Sequence, residues 1–338
     1  MLLTCSILST IITFYLLKIY GALAKKYKIF DDKNLNYAFK KTITGSGITF
    51  FITFLIGNLF LYFFYSEIKE IYPNRYYIFL VSISILSILC FIDDLRSLDP
   101  IFRLIVQLLA IYISIVCFEL NEINFKFKIV ILTVVILWIY ILNITNFIDG
   151  SDGFLTLNMF FFWIGFSYIC YVLELNLFSK YFLFILLPII LVFFYFNKPK
   201  AKLFMGDAGS IFFGYLTGFA IIELCIEGHV FLALSLYIYP ILDCSITLFK
   251  KVFIKKIMPW VGLYDYYFLI PVMQHKSNHK NLLYLISVFY IINSFFIYLQ
   301  INLNKLFILA SLIWTIIILI VLKFVKLKIL RQKISKLF

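Results

Sequence analysis

Two adjacent carboxylates, Asp93 and Asp94, follow a long apolar run in the string FIDDLRSLDP. A helix through that run would place both acids at its C-terminus, where the helix dipole disfavours negative charge. The two carboxylates also repel each other, and a nearby cation would relieve both problems. Arg96, Arg103 and a divalent metal are the candidates for this cation. An acidic helix end in headgroup water is the alternative interpretation.

A second polar string, NITNFIDGSDG, ends another apolar run and carries a polar side chain at every third position. Residues three apart share a helical face, and polar groups this deep in a span usually line a polar cavity. The glycines let the backbone turn and approach a ligand closely. The alternative is a core ladder of amides with a loop-capping Asp. The repeating residues are Asn143, Asn146, Asp149 and Asp152.

A third string, NKPKAKLFMGDAGS, leads into the next apolar run. Gly206 and Gly209 permit tight backbone, and free N–H groups at the start of the following helix would form an anion site. Three lysines add positive charge, and Asp207 is placed to hold Mg²⁺ against a phosphate. An Asp N-cap in a basic loop is the alternative.

The fourth string, QHKSNHK, contains His275 and His279 four residues apart. Neutral histidines could relay a proton, and charged ones could hold a phosphate. The spacing also fits zinc, but no Glu follows the first His and a third ligand is missing. Together, the four strings supply acids, glycine turns, lysines and histidines, which phosphoryl chemistry on an anionic substrate requires.

Apolar segments must position these strings, because 64% of the 338 residues are hydrophobic, 14% are charged and the mean hydropathy is +1.02. Soluble chains carry roughly 25% charged residues. We therefore predict an all-α, polytopic integral membrane protein in a lipid bilayer. A disordered chain, a coiled coil and, despite the net charge of +13, a nucleic-acid partner are excluded.

A span needs about 20 mostly apolar residues, and we predict eleven spans. They are Leu2–Leu17, Gly47–Tyr65, Tyr76–Ile92, Ile101–Phe118, Ile129–Ile144, Phe154–Leu173, Tyr181–Phe196, Ile211–Ile226, Val230–Phe249, Leu282–Leu299 and Leu306–Leu322.

The charges predict how these spans are oriented. Loops assigned to one side carry 24 of the 30 Lys and Arg residues, and basic loops face the cytoplasm. The N-terminus is then outside and the C-terminus cytoplasmic, with the first span an uncleaved anchor. All ten Asp residues fall on the cytoplasmic side and all seven Glu residues on the outer side. We expect one transmembrane domain over residues 1–322 and a basic cytoplasmic tail over 323–338.

In this order, the four strings resemble those of the polyprenyl-phosphate N-acetylhexosamine-1-phosphate transferases, relatives of phospho-MurNAc-pentapeptide transferase. The matching strings extend over roughly residues 31–280. The resemblance implies a multi-pass enzyme of the bacterial inner membrane with its site on the cytoplasmic face. Such an enzyme transfers an N-acetylhexosamine-1-phosphate, or a modified one, from a UDP-sugar to undecaprenyl phosphate. It releases UMP, initiates lipid-linked glycan synthesis and uses Mg²⁺, with Mn²⁺ as a substitute; a homodimer is compatible with it.

The resemblance also implies roles for individual residues. Asp93 would be the base or the carboxylate that activates the lipid phosphate, with Asp94 beside it. Asp207 and Asp152 would bind the metal. The predicted substrate-binding residues, among which Phe204 would stack on uracil and the histidines would contact phosphates, are Asn146, Asp149, Asp152, Asn197, Phe204, His275 and His279.

Two loops depart from the family pattern. The first cytoplasmic loop lacks the usual Arg-x-x-His stretch, so Lys40 or Lys41 would have to supply any phosphate contact from it. The sequence HKSNH in the last loop resembles the branch that initiates O-antigen with sugars such as N-acetyl-fucosamine or N-acetyl-quinovosamine. Two other functions stay open, a secondary transporter and an inactive scaffold. The clustering of polar strings at one face, without an internal repeat, favours the transferase.

Overall fold

The computed structural model describes residues 1–31, 41–65, 73–115, 118, 125–258, 265–274 and 278–334. His275 and Lys40 lie outside the described residues. Helices dominate because the long apolar runs must satisfy their own backbone hydrogen bonds within a bilayer. The helices are α1 (Leu2–Lys26), α2 (Ile48–Phe64), α3 (Pro73–Leu95), α4 (Pro100–Ile115), α5 (Phe125–Phe147), α6 (Phe154–Val172), α7 (Leu183–Asn197), α8 (Gly206–Ile226), α9 (Val230–Leu236), α10 (Ile238–Phe249), α11 (Leu269–Gln274), α12 (Asn278–Asn302) and α13 (Ile308–Ile334).

Short elements complete the described structure. Strand β1 (Phe30–Asp31) pairs antiparallel with β2 (Thr42–Ile43). A π-helical turn follows α10 over Lys250–Ile254. Two 3₁₀ turns precede α7 and α13, over Phe178–Phe182 and Lys305–Phe307.

Each of the eleven predicted spans coincides with a helical segment. Among the described residues, eight helices are long and apolar enough to cross a membrane. A ninth span results if α9 and the segment Ile238–Ile254, which meet at 75°, form one broken span. Helices α2 and α4 are apolar but shorter, with 17 and 16 residues. The predicted all-α, polytopic membrane protein is confirmed, while the count of eleven spans and the orientation of the termini stay predictions.

Helix α13 runs without a break through residue 322, where we predicted the transmembrane domain to end. The helix begins at Ile308 and continues to Ile334. The first part of the basic tail is therefore a helical extension of the last apolar segment, and the domain boundary stays a prediction.

Helix α8 is the central helix, and its side chains are buried from Ala208 to Leu224. It packs mainly against α5 and α3. Small residues permit this close packing, as is typical of helices in membranes. A Cβ added to Gly218 would overlap the ring of Trp138, which donates a hydrogen bond from Nε1 to the Tyr215 carbonyl at 2.9 Å. Helix α8 thereby fixes where its first residues, including Asp207, lie.

The two ends of the bundle carry different acids. We call the end at which α8 begins, and where Asp93, Asp149, Asp152 and Asp207 lie, the aspartate end. The other end, where α8 finishes, is the glutamate end. There Glu223 accepts hydrogen bonds from the backbone N–H groups of Phe178 and Ser179, both at 3.0 Å, and from the Ser179 hydroxyl. Glu223 thus has a structural role as the cap of a turn.

Candidate active site

Arg103 brings together carboxylates from two distant parts of the chain. Its Nη1 atom lies 2.5 Å from Asp93 Oδ2 and 2.7 Å from Asp207 Oδ2. The Asp93 side chain is only 6% exposed, whereas those of Arg103 and Asp207 are 30% and 31% exposed. Solvent therefore reaches this group from one side. We name Asp93, Arg103 and Asp207 the Arg103 cluster.

Turns at the end of α3 and the start of α4 hold Asp93 and Arg103 in place. Asp93 Oδ1 accepts a hydrogen bond from the Leu98 backbone N–H at 2.6 Å. Asp99 Oδ1 accepts from two backbone N–H groups in the first turn of α4, at 2.9 and 3.2 Å. Such a cap satisfies donors that a first helical turn leaves without partners. Arg103 belongs to this fixed turn, so its guanidinium can reach the end of α3.

Asp94 makes quite different contacts from its neighbour Asp93. Its Oδ1 accepts a hydrogen bond from the Asp207 N–H at 2.8 Å, and its Oδ2 accepts one from the Ala208 N–H at 3.0 Å. Gly206 adopts φ 69°, and a Cβ there would lie 2.5 Å from both Asp94 oxygens. Asp94 thus accepts from two of the N–H groups that were predicted to form an anion site, and binding of a substrate anion at this N-terminus stays a prediction.

Hydrogen bonds join the first loop to the residues just before α8. The Phe204 carbonyl accepts from the Ser46 N–H at 3.2 Å and the Ser46 hydroxyl at 2.8 Å. The Gly47 N–H donates to the Met205 carbonyl at 2.8 Å. A Cβ on Gly47 would overlap the Gly209 backbone. Glycine at position 47 is therefore required by the close approach of two backbones.

Phe204 lies just before α8, and Lys41 is the one predicted loop-one lysine within the described residues. Phe204 is half-buried, and its N–H donates to the Ile43 carbonyl at 2.7 Å. Ile43 also forms a parallel bridge with Leu203, which joins the first loop to the string before α8. Lys41 is exposed and directly precedes β2. Stacking of Phe204 on uracil and phosphate contacts from Lys41 stay predictions.

A second group of polar side chains lies in a buried position. His279 is fully buried, and its Nδ1 lies 2.8 Å from Ser151 Oγ and 3.2 Å from the backbone nitrogen of Asp152. Asp152 is 3% exposed, and its Oδ2 accepts from the Ala201 N–H at 3.0 Å. A histidine, a hydroxyl and a carboxylate thereby connect the start of α12 to two loops of the aspartate end.

Asn197 ties the same loops together. Its Oδ1 accepts from the Gly153 N–H at 2.9 Å and from the Thr156 hydroxyl at 3.0 Å, while its Nδ2 donates to the Leu203 carbonyl at 3.0 Å. The side chain is 3% exposed. We name Ser151, Asp152, Asn197 and His279 the His279 cluster. The predicted substrate contacts of Asn197, Asp152 and His279 stay predictions, and the contacts described above are all within the protein.

The remaining residues of the second string face α8 and the neighbouring acids. Asn146 Oδ1 accepts from the Ser210 hydroxyl at 2.7 Å, on the first turns of α8. Burial, together with the negative charges of Asp207, Asp31 and Asp152, raises the pKa of Asp149 to about 8. Burial also raises the pKa of Asp152, an effect that His279 opposes. Burial and the neighbouring carboxylates thus both disfavour the ionised form of Asp149, and a nearby cation would favour it.

The side chains at the aspartate end meet only some of the requirements of a Mg²⁺ site. Within the described residues, no group of three or more His, Cys, Asp or Glu side chains could hold a metal ion alone. Mg²⁺ usually takes one or two protein carboxylates together with phosphate oxygens and water. Asp93 and Asp207 are two carboxylates that lie close together, because one oxygen of each reaches the same nitrogen of Arg103. Asp152 was predicted to share the metal with Asp207, but its Oδ2 accepts from Ala201.

Sequence reasoning missed the role of Asp243, which lies inside the membrane portion of the ninth predicted span. Asp243 is fully buried and accepts from the N–H groups of Tyr267 and Phe268, at 2.9 and 3.2 Å. The Tyr239 hydroxyl donates to it at 3.1 Å. An acid within an apolar helix was the available signal. Asp243 anchors the chain segment that leads into α11.

The fold and the site define a class: a polytopic membrane protein that gathers acids, an arginine and a glycine turn at one end of its helices. The family model of glycosyl transferase family 4 matches residues 76–225. That segment contains the whole Arg103 cluster, Asp94 and the residues from Asn146 to Asn197 discussed above. The matched segment is less than half of the chain, and over that segment the chain is similar to glycosyl transferase family 4.

One curated relative also matches part of the chain. A phospho-N-acetylmuramoyl-pentapeptide-transferase of Leuconostoc citreum is 37% identical over 83 residues, which is 24% of this chain. The match spans about a quarter of the relative's length, 26%. The likeness therefore concerns one segment of each protein.

Proposed function

We propose that the protein transfers an N-acetylhexosamine-1-phosphate, or a modified N-acetyl-sugar-1-phosphate, from a UDP-sugar to undecaprenyl phosphate. UMP is released, and the lipid product starts the synthesis of an O-antigen or another cell-envelope glycan. The aspartate end would face the cytoplasm of a bacterial inner membrane, where UDP-sugars are present. The observation that carries this proposal is the Arg103 cluster, which lies within the segment that matches the family.

The chemistry requires two anions to approach each other. A phosphate oxygen of the lipid forms a new bond to the sugar-bearing phosphorus, and the bond from that phosphorus to the UMP oxygen breaks. Phosphates repel one another, so positioned cations and fixed geometry are the main sources of catalysis. Arg103 is about one-third exposed and reaches both carboxylates, so it could contact an incoming phosphate. Asp93, held by Leu98 and Arg103, is placed to activate the lipid phosphate.

Mg²⁺, with Mn²⁺ as its substitute, is proposed as the cofactor. Its binding would neutralise charge on the pyrophosphate of the sugar nucleotide. Asp207 is the assigned ligand, since its carboxylate is partly exposed and directed at the same point as that of Asp93. The pKa of Asp149 is raised first by burial and then by the negative charge of Asp207, so a cation at Asp207 would reduce the second effect. Asp152 is proposed as a second ligand through Oδ1, the oxygen that does not accept from Ala201.

The test is a transferase assay in membranes that contain the protein, Mg²⁺ and undecaprenyl phosphate. A panel of labelled UDP-N-acetyl-sugars should include a donor that yields a butanol-extractable labelled lipid and an equal amount of UMP. The same membranes without undecaprenyl phosphate are the control. The proposal would be contradicted if no donor in the panel gave product. Uptake of a sugar into sealed vesicles without UMP release would also contradict it.

A further inference from the structure

A basic cavity of about 180 Å³ lies at the aspartate end, among parts of the chain that do not supply the Arg103 cluster. Its lining includes four lysines, one aspartate and one tyrosine, namely Lys250, Lys251, Lys255, Lys323, Asp265 and Tyr267. These residues come from the π-helical turn, the segment before α11, and α13. All of them lie outside the segment that matches the family, 76–225.

The π-helical turn creates this concentration of lysines. The Lys255 N–H donates to the Lys250 carbonyl at 2.9 Å, a bond between residues five apart. In an α-helix, residues five apart point to different faces. The π turn instead brings both lysines to one cavity, where the Lys255 ammonium pairs with Asp265 and Lys250 bonds to the Tyr267 hydroxyl. Two further lysines line the same cavity, so cations exceed the one lining carboxylate.

The surface beside the cavity is apolar. Large side chains of α10, the π turn and α13 are exposed there: Phe249 by 57%, Phe253 by 69%, Ile254 by 68% and Phe324 by 61%. In a membrane protein, such side chains meet acyl chains, while lysines nearby extend toward headgroups. The cavity therefore joins a cationic recess to a surface that suits hydrocarbon.

We propose that this cavity binds the phosphate headgroup of an anionic membrane phospholipid. Cationic recesses between helices on the cytoplasmic side are suited to such headgroups. A free phosphate would satisfy the lysines, but it has no use for the exposed phenylalanines beside them. A lipid uses both features, with its phosphate among the lysines and its acyl chains along Phe249, Phe253 and Phe324. The site is separate from the proposed transferase site.

The experiment uses the full chain in nanodiscs of phosphatidylcholine, with and without phosphatidylglycerol. After detergent releases the protein from the nanodiscs, native mass spectrometry should find phosphatidylglycerol still bound to it. The midpoint of thermal unfolding should rise only in nanodiscs that contain phosphatidylglycerol. The double variant Lys250→Gln/Lys323→Gln should lower the affinity for phosphatidylglycerol about tenfold or more, since each lysine near the surface contributes roughly 1 kcal/mol. If the double variant fails to fold, Lys323→Gln alone carries the test, because Lys323 is exposed.

The matched control is Lys25→Gln/Lys26→Gln, which removes two exposed charges from the end of α1. This control should retain phosphatidylglycerol as the parent does. An equal loss in control and cavity variants would overturn the proposal, because it would indicate attraction by overall charge. Stabilisation by inorganic phosphate equal to that by the lipid, or loss of UDP-sugar binding with lipid retention unchanged, would overturn it as well.

Discussion

At the aspartate end, the Arg103 cluster and the His279 cluster both combine carboxylates with a basic side chain, but they differ in access to solvent. Arg103 and Asp207 are about one-third exposed, whereas His279 is fully buried and Asp152 nearly so. In the His279 cluster, the described contacts of Ser151, Asp152 and Asn197 join two loops to each other and to the start of α12. Buried polar groups must be satisfied within the protein, so this cluster braces the loops. The Arg103 cluster has an open side and can receive a ligand.

The largest expected effect concerns the open cluster. Asp207→Asn and Asp93→Asn should each lower turnover at least about a hundredfold to a thousandfold, as the loss of a charge at a reacting phosphate typically does. UMP release from the donor found in the panel measures this, at saturating Mg²⁺. Both variants should insert and elute from gel filtration as the parent does.

The matched control for these two variants is Glu227→Gln, an exposed acid at the glutamate end. It should keep the parent's turnover. Full activity of either aspartate variant would show that the open cluster is not where the chemistry occurs.

Asp94→Asn should affect stability more than its neighbour does, because Asp94 accepts two N–H groups at the start of α8. An amide has one acceptor oxygen and would leave the other N–H facing its NH₂ group. Loss of such a cap costs about 1–2 kcal/mol. Thermal unfolding of Asp94→Asn and Asp93→Asn in the same detergent measures the difference. Equal midpoints, with turnover lost in both, would favour a direct catalytic role for Asp94.

His279→Ala tests the closed cluster. The substitution leaves Ser151 Oγ and the Asp152 N–H without their shared partner, and an unsatisfied buried group costs about 1–3 kcal/mol. We expect a lower unfolding midpoint, with the KM for the UDP-sugar nearly unchanged in the folded fraction. The sequence-based role predicts the opposite, a higher KM at unchanged stability. Measuring both quantities on one preparation therefore decides between bracing and phosphate contact.

The sequence predicts where the polar strings gather better than it predicts what each side chain does. Long apolar runs define the helices, and loops on one side must meet at one end of the bundle. The difference between Asp93 and Asp94 depends on the packing of α3 against the start of α8, which local sequence does not encode. The role of Asp243 likewise depends on Tyr267 and Phe268, 24 and 25 residues further along the chain. In each case, a tertiary contact decides whether an acid is open or capped.

The last expected effect concerns pH and Asp149, whose pKa is affected by one acid of each cluster, Asp207 and Asp152. Its ordinary pKa is 3.8, and the fold raises it to about 8, so the folded protein binds a proton that the unfolded chain releases. Stability contributed by this proton is complete below about pH 4 and is lost as the pH rises to about 8. The unfolding midpoint of the parent should therefore fall over this range more steeply than that of Asp149→Asn, which cannot titrate. Mg²⁺ should reduce the slope in the parent, because a bound cation replaces the proton in offsetting the charges of Asp149 and Asp207. Parallel pH profiles for parent and variant would show that the fold does not raise the pKa of Asp149, and would contradict its burial beside the acids of the two clusters.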